Sequence, residues 1–259
     1  MSNNAGRFTW YDLMTTDTAA AQTFYKQALG WGTEQFGDDA SQDYTMWTTK
    51  QGPIGGVMLL PEEAKKMGAP PHWLAYINTE NIDATLKQAT ELGAKVHVPV
   101  TQIPKVGRFA VLADPQGAVF AIFASDNPMP PHDGSGVGEM CWHELYTTDP
   151  VAGLTFYSTL FGWQKTTQMD MGPDMGIYQM YGQGDNTYGG IMKKPAQMQA
   201  PSAWLFYTSV DSVDHAINRI NELGGKITMG PHDVPTGGRI AMAIDPQGAA
   251  FAVHQAPKK

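Results

Sequence analysis

Cysteine is almost absent from this chain. Cys141 is the only one in 259 residues, so neither an intrachain disulfide nor a thiolate zinc site can form. No apolar run approaches the roughly 20 residues of a membrane span. Positive charge is in deficit: 17 Lys and Arg stand against 25 Asp and Glu, a net charge of -8. That balance argues against nucleic acid as a partner, since sequence-independent binding needs a basic face. Met1 to Arg7 is polar and lacks the basic start and apolar run of a secretory signal. No Gly-x-Ser-x-Gly elbow and no Gly-Lys-Ser/Thr phosphate loop occurs. Gly134, Gly136 and Gly138 fail to complete a dinucleotide fingerprint, because Glu139 follows. These absences fit a cytoplasmic globular protein. What is abundant agrees: 15 Met and 7 Trp are adaptable or broad apolar surfaces that suit either a packed core or an organic ligand.

The chain repeats itself. Trp10-Tyr-Asp-Leu-Met-Thr-Thr-Asp17 returns as Trp142-His-Glu-Leu-Tyr-Thr-Thr-Asp149. Phe24-Tyr-Lys-Gln-Ala-Leu-Gly-Trp31 returns as Phe156-Tyr-Ser-Thr-Leu-Phe-Gly-Trp163. Ile54-Gly-Gly-Val-Met58, Glu91-Leu-Gly-Ala-Lys95 and Asp114-Pro-Gln-Gly-Ala118 return in the same order, at offsets of 131 to 134 residues. Five ordered blocks at one spacing identify a duplicated module. Residues 1–125 form the first, 126–138 a Pro- and Gly-rich linker, and 139–259 the second. Within a module, Phe8 to Met14 alternates as a strand. Asp17 caps a helix from Thr18 to Leu29 that Gly30 closes, and short strands follow. Trp73 to Ile77 opens a second round of strand, helix and three strands. Each module is thus two β-α-β-β-β units.

That order, with Phe-Tyr-x-x-x-Leu-Gly-Trp after the first strand and Asp-Pro-x-Gly before the last, resembles the vicinal oxygen chelate superfamily of glyoxalases, bleomycin-resistance proteins and extradiol dioxygenases. The resemblance covers nearly the whole chain. It implies an α+β fold in which two βαβββ units per module form an open curved barrel. It also implies a divalent metal on the concave side, held by His or Gln on the opening strand, His on the fifth strand and Glu after the Asp-Pro-x-Gly turn. At those positions this sequence has Trp10 and Trp142, Trp73 and Trp204, and Ala121 and Ala252. Indole and methyl groups do not ligate metals, so no metal ligand and no cofactor is expected there.

Strand alternation suggests what lines each cup instead. Trp10, Asp12 and Trp73 are expected in the first, and Trp142, Glu144, Tyr146, Trp204, Phe206 and His254 in the second. The apolar walls with few polar groups fit a small-molecule site. A carboxylate there requires a partner, and Arg108 and Arg239 are the expected ones. Glu144, His254 and Tyr146 are the candidates for acid-base catalysis. The leading expectation is a metal-free binder of an apolar or aromatic organic molecule, acting as monomer or homodimer, by sequestration or acid-base chemistry. Two alternatives stand beside it. One is a metal-dependent lyase, isomerase or dioxygenase with displaced ligands, His143 or His72 with Glu144 and His254. The other is a pseudoenzyme whose cups are plugged.

Overall fold

The computed structural model describes residues 5–37, 44–127, 134, 136–173, 175–198, 200–235 and 237–257. The first four residues and most of the expected linker (128–133 and 135) lie outside them. The first repeat runs β1 (Phe8–Thr15), α1 (Thr18–Leu29), β2 (Gly32–Gln35), β3 (Thr45–Thr49), β4 (Gly52–Leu59), a short α2 (Glu62–Lys66), β5 (His72–Asn78), α3 (Ile82–Glu91), β6 (Lys95–Ile103), β7 (Gly107–Ala113) and β8 (Val119–Ser125). The second runs β9 (Met140–Thr147), α4 (Pro150–Phe161), β10 (Gln164–Asp170), β11 (Ile177–Gln183), β12 (Asn186–Lys193), β13 (Ala203–Ser209), α5 (Val213–Glu222), β14 (Lys226–Asp233), β15 (Arg239–Ile244) and β16 (Ala250–Gln255).

The four long helices start where a side chain satisfies an orphan backbone N–H. Asp17 accepts from Ala20, Asn81 from Ala84, Asp149 from Val151 and Ala152, and Ser212 from His215. The strands form two eight-stranded sheets, ordered β2-β3-β4-β1-β5-β8-β7-β6 and β10-β11-β12-β9-β13-β16-β15-β14. Each sheet is therefore two βαβββ units, as the repeats predict, and it is open: β2 and β6 in one, β10 and β14 in the other, remain edges. No helix among the described residues is long and apolar enough to cross a membrane.

Packing divides the chain differently from the repeats. One compact unit is Met1–Thr9, Ala75–Pro131 and Trp142–Trp204; the other is Trp10–Leu74, His132–Cys141 and Leu205–Lys259. Each unit thus draws one half from each repeat, and the aromatic core beneath the helices shows how. In the second unit Trp73 Nε1 donates to the Tyr25 hydroxyl (3.1 Å), which donates to Asp245 Oδ2 (3.1 Å). Asp245 Oδ1 accepts the backbone N–H groups of Gln247, Gly248 and Ala249 in its own turn. In the first unit Trp204 Nε1 donates to the Tyr157 hydroxyl (3.1 Å), and Tyr157 to Asp114 Oδ2 (3.1 Å). The turn Asp of one repeat is thereby bonded to the helix Tyr of the other, in both directions. Burial raises the pKa of both tyrosines, and the adjoining Asp raises it further. They therefore stay neutral donors.

Candidate functional site

Strand register decides which side chains can meet. In β1 and β4, which are parallel, Tyr11 lies beside Gly55 and Asp12 beside Gly56; in β3 Trp47 lies beside Gly55 and Met46 beside Gly56. Trp47 packs on Tyr25 of α1 at 5.7 Å between ring centroids. The row of Tyr11 and Trp47 thus faces the helix, and the row of Trp10, Asp12 and Met14 faces the opposite side. In the second repeat His143, Gly189 and Tyr181 form the row toward α4, while Glu144, Gly190 and Met180 form the opposite one.

On that helix-free side of the β1 sheet sits a compact polar cluster. Trp10 Nε1 donates to Asp12 Oδ1 (3.0 Å) and to the Tyr44 hydroxyl (2.7 Å), and that hydroxyl donates to Asp12 Oδ1 (2.6 Å). Asp12 is 4% exposed, whereas Trp10 and Tyr44 are half-buried. The other unit holds the counterpart. Trp142 Nε1 donates to the Tyr178 hydroxyl at 2.8 Å, and the hydroxyls of Tyr178 and Tyr146 both hydrogen-bond Glu144. Glu144 is 5% exposed and Trp142 half-buried. Burial drives the pKa of Tyr44, Tyr146 and Tyr178 well upward, and the charge of the adjoining carboxylate adds to it. All three phenols are consequently neutral donors to a group that, when ionised, only accepts.

Tyr44 and Tyr178 are the members that strand alternation in β1 and β9 does not reveal. The repeat does carry a signal for them: each lies twelve residues before the second glycine of a Gly-Gly pair, Gly56 or Gly190. Those glycines make room. A Cβ on Gly56 would lie 2.2 Å from the Tyr44 hydroxyl, and one on Gly190 2.2 Å from that of Tyr178. The preceding glycines serve the strand pairing, since a Cβ on Gly55 or Gly189 would lie 1.9 or 1.7 Å from the carbonyl oxygen of Tyr11 or His143.

Three expected cup residues lie elsewhere. Trp73 and Trp204 point beneath α1 and α4, bonded to Tyr25 and Tyr157. Phe206, two residues after Trp204 on β13, shares that side and meets Tyr11, of the helix-facing row, edge-on at 5.7 Å. The fifth strand instead turns Tyr76 to the other face, where it pairs beside Ala121 and meets Phe109 and Phe123 edge-on. The arginines are also displaced. Arg108 pairs with Asp83 at 2.9 Å, and Arg239 with Asp214 at 3.2 Å and Asp233 at 2.7 Å, all at the surface. The phenols, not these guanidinium groups, hold the buried carboxylates.

His143 lies on the α4 side of β9, stacked on Phe8 at 4.0 Å and 4°, with Nδ1 2.8 Å from the Tyr188 carbonyl. It is on the opposite face from Glu144, which removes the displaced metal set that would join them. His72 bonds the Pro70 carbonyl through Nδ1 at 2.7 Å. His254, on β16 beside Ser209 of β13, is half-buried with Nδ1 3.7 Å from Cys141 Sγ. Burial lowers the pKa of His254 and raises the Cys141 thiol to about 12, so neither is charged near neutrality. Among the described residues no three His, Cys, Asp or Glu side chains gather as a metal group. Of the residues that the resemblance places at metal positions, Trp10 and Trp142 bond tyrosine hydroxyls on the face away from the helices, whereas Trp73 and Trp204 lie beneath the helices and do not reach that face.

Two open eight-stranded sheets of paired βαβββ units, with polar clusters on the side away from the helices, define the class. The Glyoxalase/Bleomycin resistance protein/Dioxygenase superfamily matches residues 7–122 and 140–253, and the chain belongs to that superfamily. Relatives include CFP32 of Mycobacterium tuberculosis, named as a glyoxylase, 31% identical over 245 residues that cover 94% of this chain and 92% of CFP32. The anthracycline biosynthesis protein DnrV of Streptomyces peucetius is 28% identical over 255 residues, covering 94% and 91%. Among solved structures, the Mn(II)-bound glyoxalase of Novosphingobium aromaticivorans superposes with a TM-score of 0.66 at 16% identity, over 98% of this chain and 83% of that one. The 2,3-dioxygenase LapB of Pseudomonas sp. KL28 gives 0.67 at 12%, over 98% and 94%. At those identities the likeness is one of fold.

Proposed function

We propose that the protein binds a small planar aromatic molecule on the sheet faces that carry Trp10 and Trp142, and does so without a metal. The observation that carries this reading is the twice-built cluster in which a half-buried Trp and a buried carboxylate share a tyrosine hydroxyl. The indole offers a broad stacking face, and the carboxylate and phenols offer a few directed polar groups, the usual composition of a small-molecule site. A relative named for anthracycline biosynthesis supports the aromatic class. At the metal positions the indoles and methyls favour metal-free use. Glu144, with Tyr146 and Tyr178 bonded to it, is the acid-base candidate if the bound molecule is also transformed. Sequestration needs only the stacking face and the acceptors.

The test is a fluorescence titration with naphthalene and anthraquinone derivatives, combined with elemental analysis of the purified protein. Saturable quenching that weakens in both Trp10→Phe and Trp142→Phe is the expected result. One tightly held metal per chain that is lost on replacing Asp12 or Glu144 would overturn the metal-free reading. Absence of any saturable quenching would overturn the binding reading.

A further inference from the structure

We propose that the two faces divide aromatic ligands by size: the face of Trp10 takes fused three-ring systems, and the face of Trp142 takes single rings. This rests on the aromatic-binding reading above and names the ligand class of each face. Met14 and Tyr146, at matching positions in the two repeats, set the difference.

The faces share most of their plan. Gly56 lies beside Asp12 and Met46, as Gly190 lies beside Glu144 and Met180. Two residues further along the strands, Met58 lies beside Met14 and Met192 beside Tyr146. The methionines of β3 and β4 thus recur in β11 and β12, and the carboxylate keeps its type. Only the last residue of the β1 row changes its chemistry, from a thioether to a phenol.

That exchange alters both shape and mobility. Met14, Met46 and Met58 are all half-buried, so three thioethers border the first face. A Met side chain is unbranched, has three rotatable bonds and fills irregular gaps, and Met-rich surfaces re-pack around ligands of different outline. In the second repeat Tyr146 is 9% exposed, and its hydroxyl bonds Glu144. Met192 beside it is 2% exposed, and Met180 Sδ accepts the Thr167 hydroxyl at 3.2 Å. The second wall is held in one arrangement, whereas the first can re-pack.

The difference acts in opposite directions on small and large rings. A wall that is already ordered imposes no ordering cost on a ring that fits it. Ordering methionines does cost rotamer freedom, which the small contact of one ring does not offset and the broad contact of three rings does. At the second face a three-ring plane would also have to move Tyr146 off Glu144, breaking a bond to a buried acceptor.

Two probes with a hydroxymethyl group in common test the proposal by fluorescence titration of the full chain: 4-nitrobenzyl alcohol, with one ring, and 2-(hydroxymethyl)anthraquinone, with three. In Trp142→Phe the first face keeps its indole, and in Trp10→Phe the second does, so each variant reports one face. The anthraquinone is expected to bind about tenfold more tightly in Trp142→Phe than in Trp10→Phe, a difference of about 1.4 kcal/mol, and the nitrobenzyl alcohol in the reverse order. Adding Met14→Tyr to Trp142→Phe should remove most of the anthraquinone advantage. Adding Tyr146→Met to Trp10→Phe should confer it, with thermal unfolding as the check on folding. If Tyr146→Met does not fold, Met14→Tyr, at a half-buried position, decides the matter.

The same order of ring sizes at both faces would overturn the division and leave the aromatic-binding reading standing. So would a Met14→Tyr variant whose preference is unchanged, or binding of both probes at one face alone. If neither probe quenches saturably in either variant or in the natural protein, both readings fall.

Discussion

At the scale of single residues, the decisive groups are uncharged donors around buried acceptors. Two tyrosines per repeat serve different masters: Tyr25 and Tyr157 tie an aromatic core to a turn, whereas Tyr44 and Tyr178 tie an indole to a carboxylate. His143 is a third kind of buried polar group. Burial lowers its pKa to about 4, against a smaller upward effect of its bond to the Tyr188 carbonyl. Because the folded value lies below the unfolded one, the unfolded chain binds more protons between about pH 6.5 and pH 4. Stability is therefore full above that window and is lost as pH falls through it, by about 3 kcal/mol for this one group. Urea unfolding at steps between pH 7 and 4 should show that loss in the natural protein, and His143→Gln should flatten it. An unchanged slope in the variant would assign the acid sensitivity to other groups.

At the scale of elements, the Gly-Gly pairs of β4 and β12 connect sequence to site. The first glycine lets the strand close on its parallel neighbour, and the second leaves the volume that a tyrosine hydroxyl fills. Gly190→Ala would therefore move Tyr178 off Glu144 and Trp142. The expected cost is about 1–3 kcal/mol from the broken bonds to a buried charged group, together with weaker quenching by aromatic ligands. Chemical denaturation and the fluorescence titration read the two effects separately. Retained stability and ligand affinity would mean that the Tyr178 contact is dispensable.

The rows of β1 and β9 are marked in the sequence by one carboxylate each, Asp12 and Glu144, in an otherwise mostly apolar strand: Trp10, Asp12 and Met14 against Tyr11, Leu13 and Thr15. β5 reads His-Trp-Leu-Ala-Tyr-Ile-Asn, with all five middle residues buried. A strand covered on both faces carries no alternation to set its facing, which is why Trp73 and Trp204 were expected on the wrong side. A one-residue offset turns every side chain over, so Tyr76 took the place that Trp73 was assigned. The arginines failed for another reason. Matching positions in two repeats establish equivalence, not a partner, and the surface aspartates Asp83 and Asp214 on the neighbouring helices were closer.

At the scale of the whole molecule, the repeat boundary and the packing boundary do not coincide. Tyr157 of the second repeat donates to Asp114 of the first, and Tyr25 of the first to Asp245 of the second. Replacing Tyr157 by Phe leaves the Trp204 indole N–H and one Asp114 oxygen unsatisfied within the core. A double-mutant cycle of Tyr157→Phe with Asp114→Asn should show a coupling of about 1–2 kcal/mol between residues of different repeats. Additive effects would mean that the bond contributes nothing across the repeats.

The sequence alone determined the duplication, the order of elements, the caps and the superfamily, because each is a local or periodic property that the chain carries along its length. It also shows indoles and methyl groups at the positions that the resemblance assigns to metal ligands. Tertiary structure decided which face of β5 looks outward, which tyrosines meet Asp12 and Glu144, and which half of one repeat packs with which half of the other. Those outcomes depend on bonds between residues tens to hundreds of positions apart. There the choice among chemically equivalent donors is made by distance, and distance is not written in the order of residues.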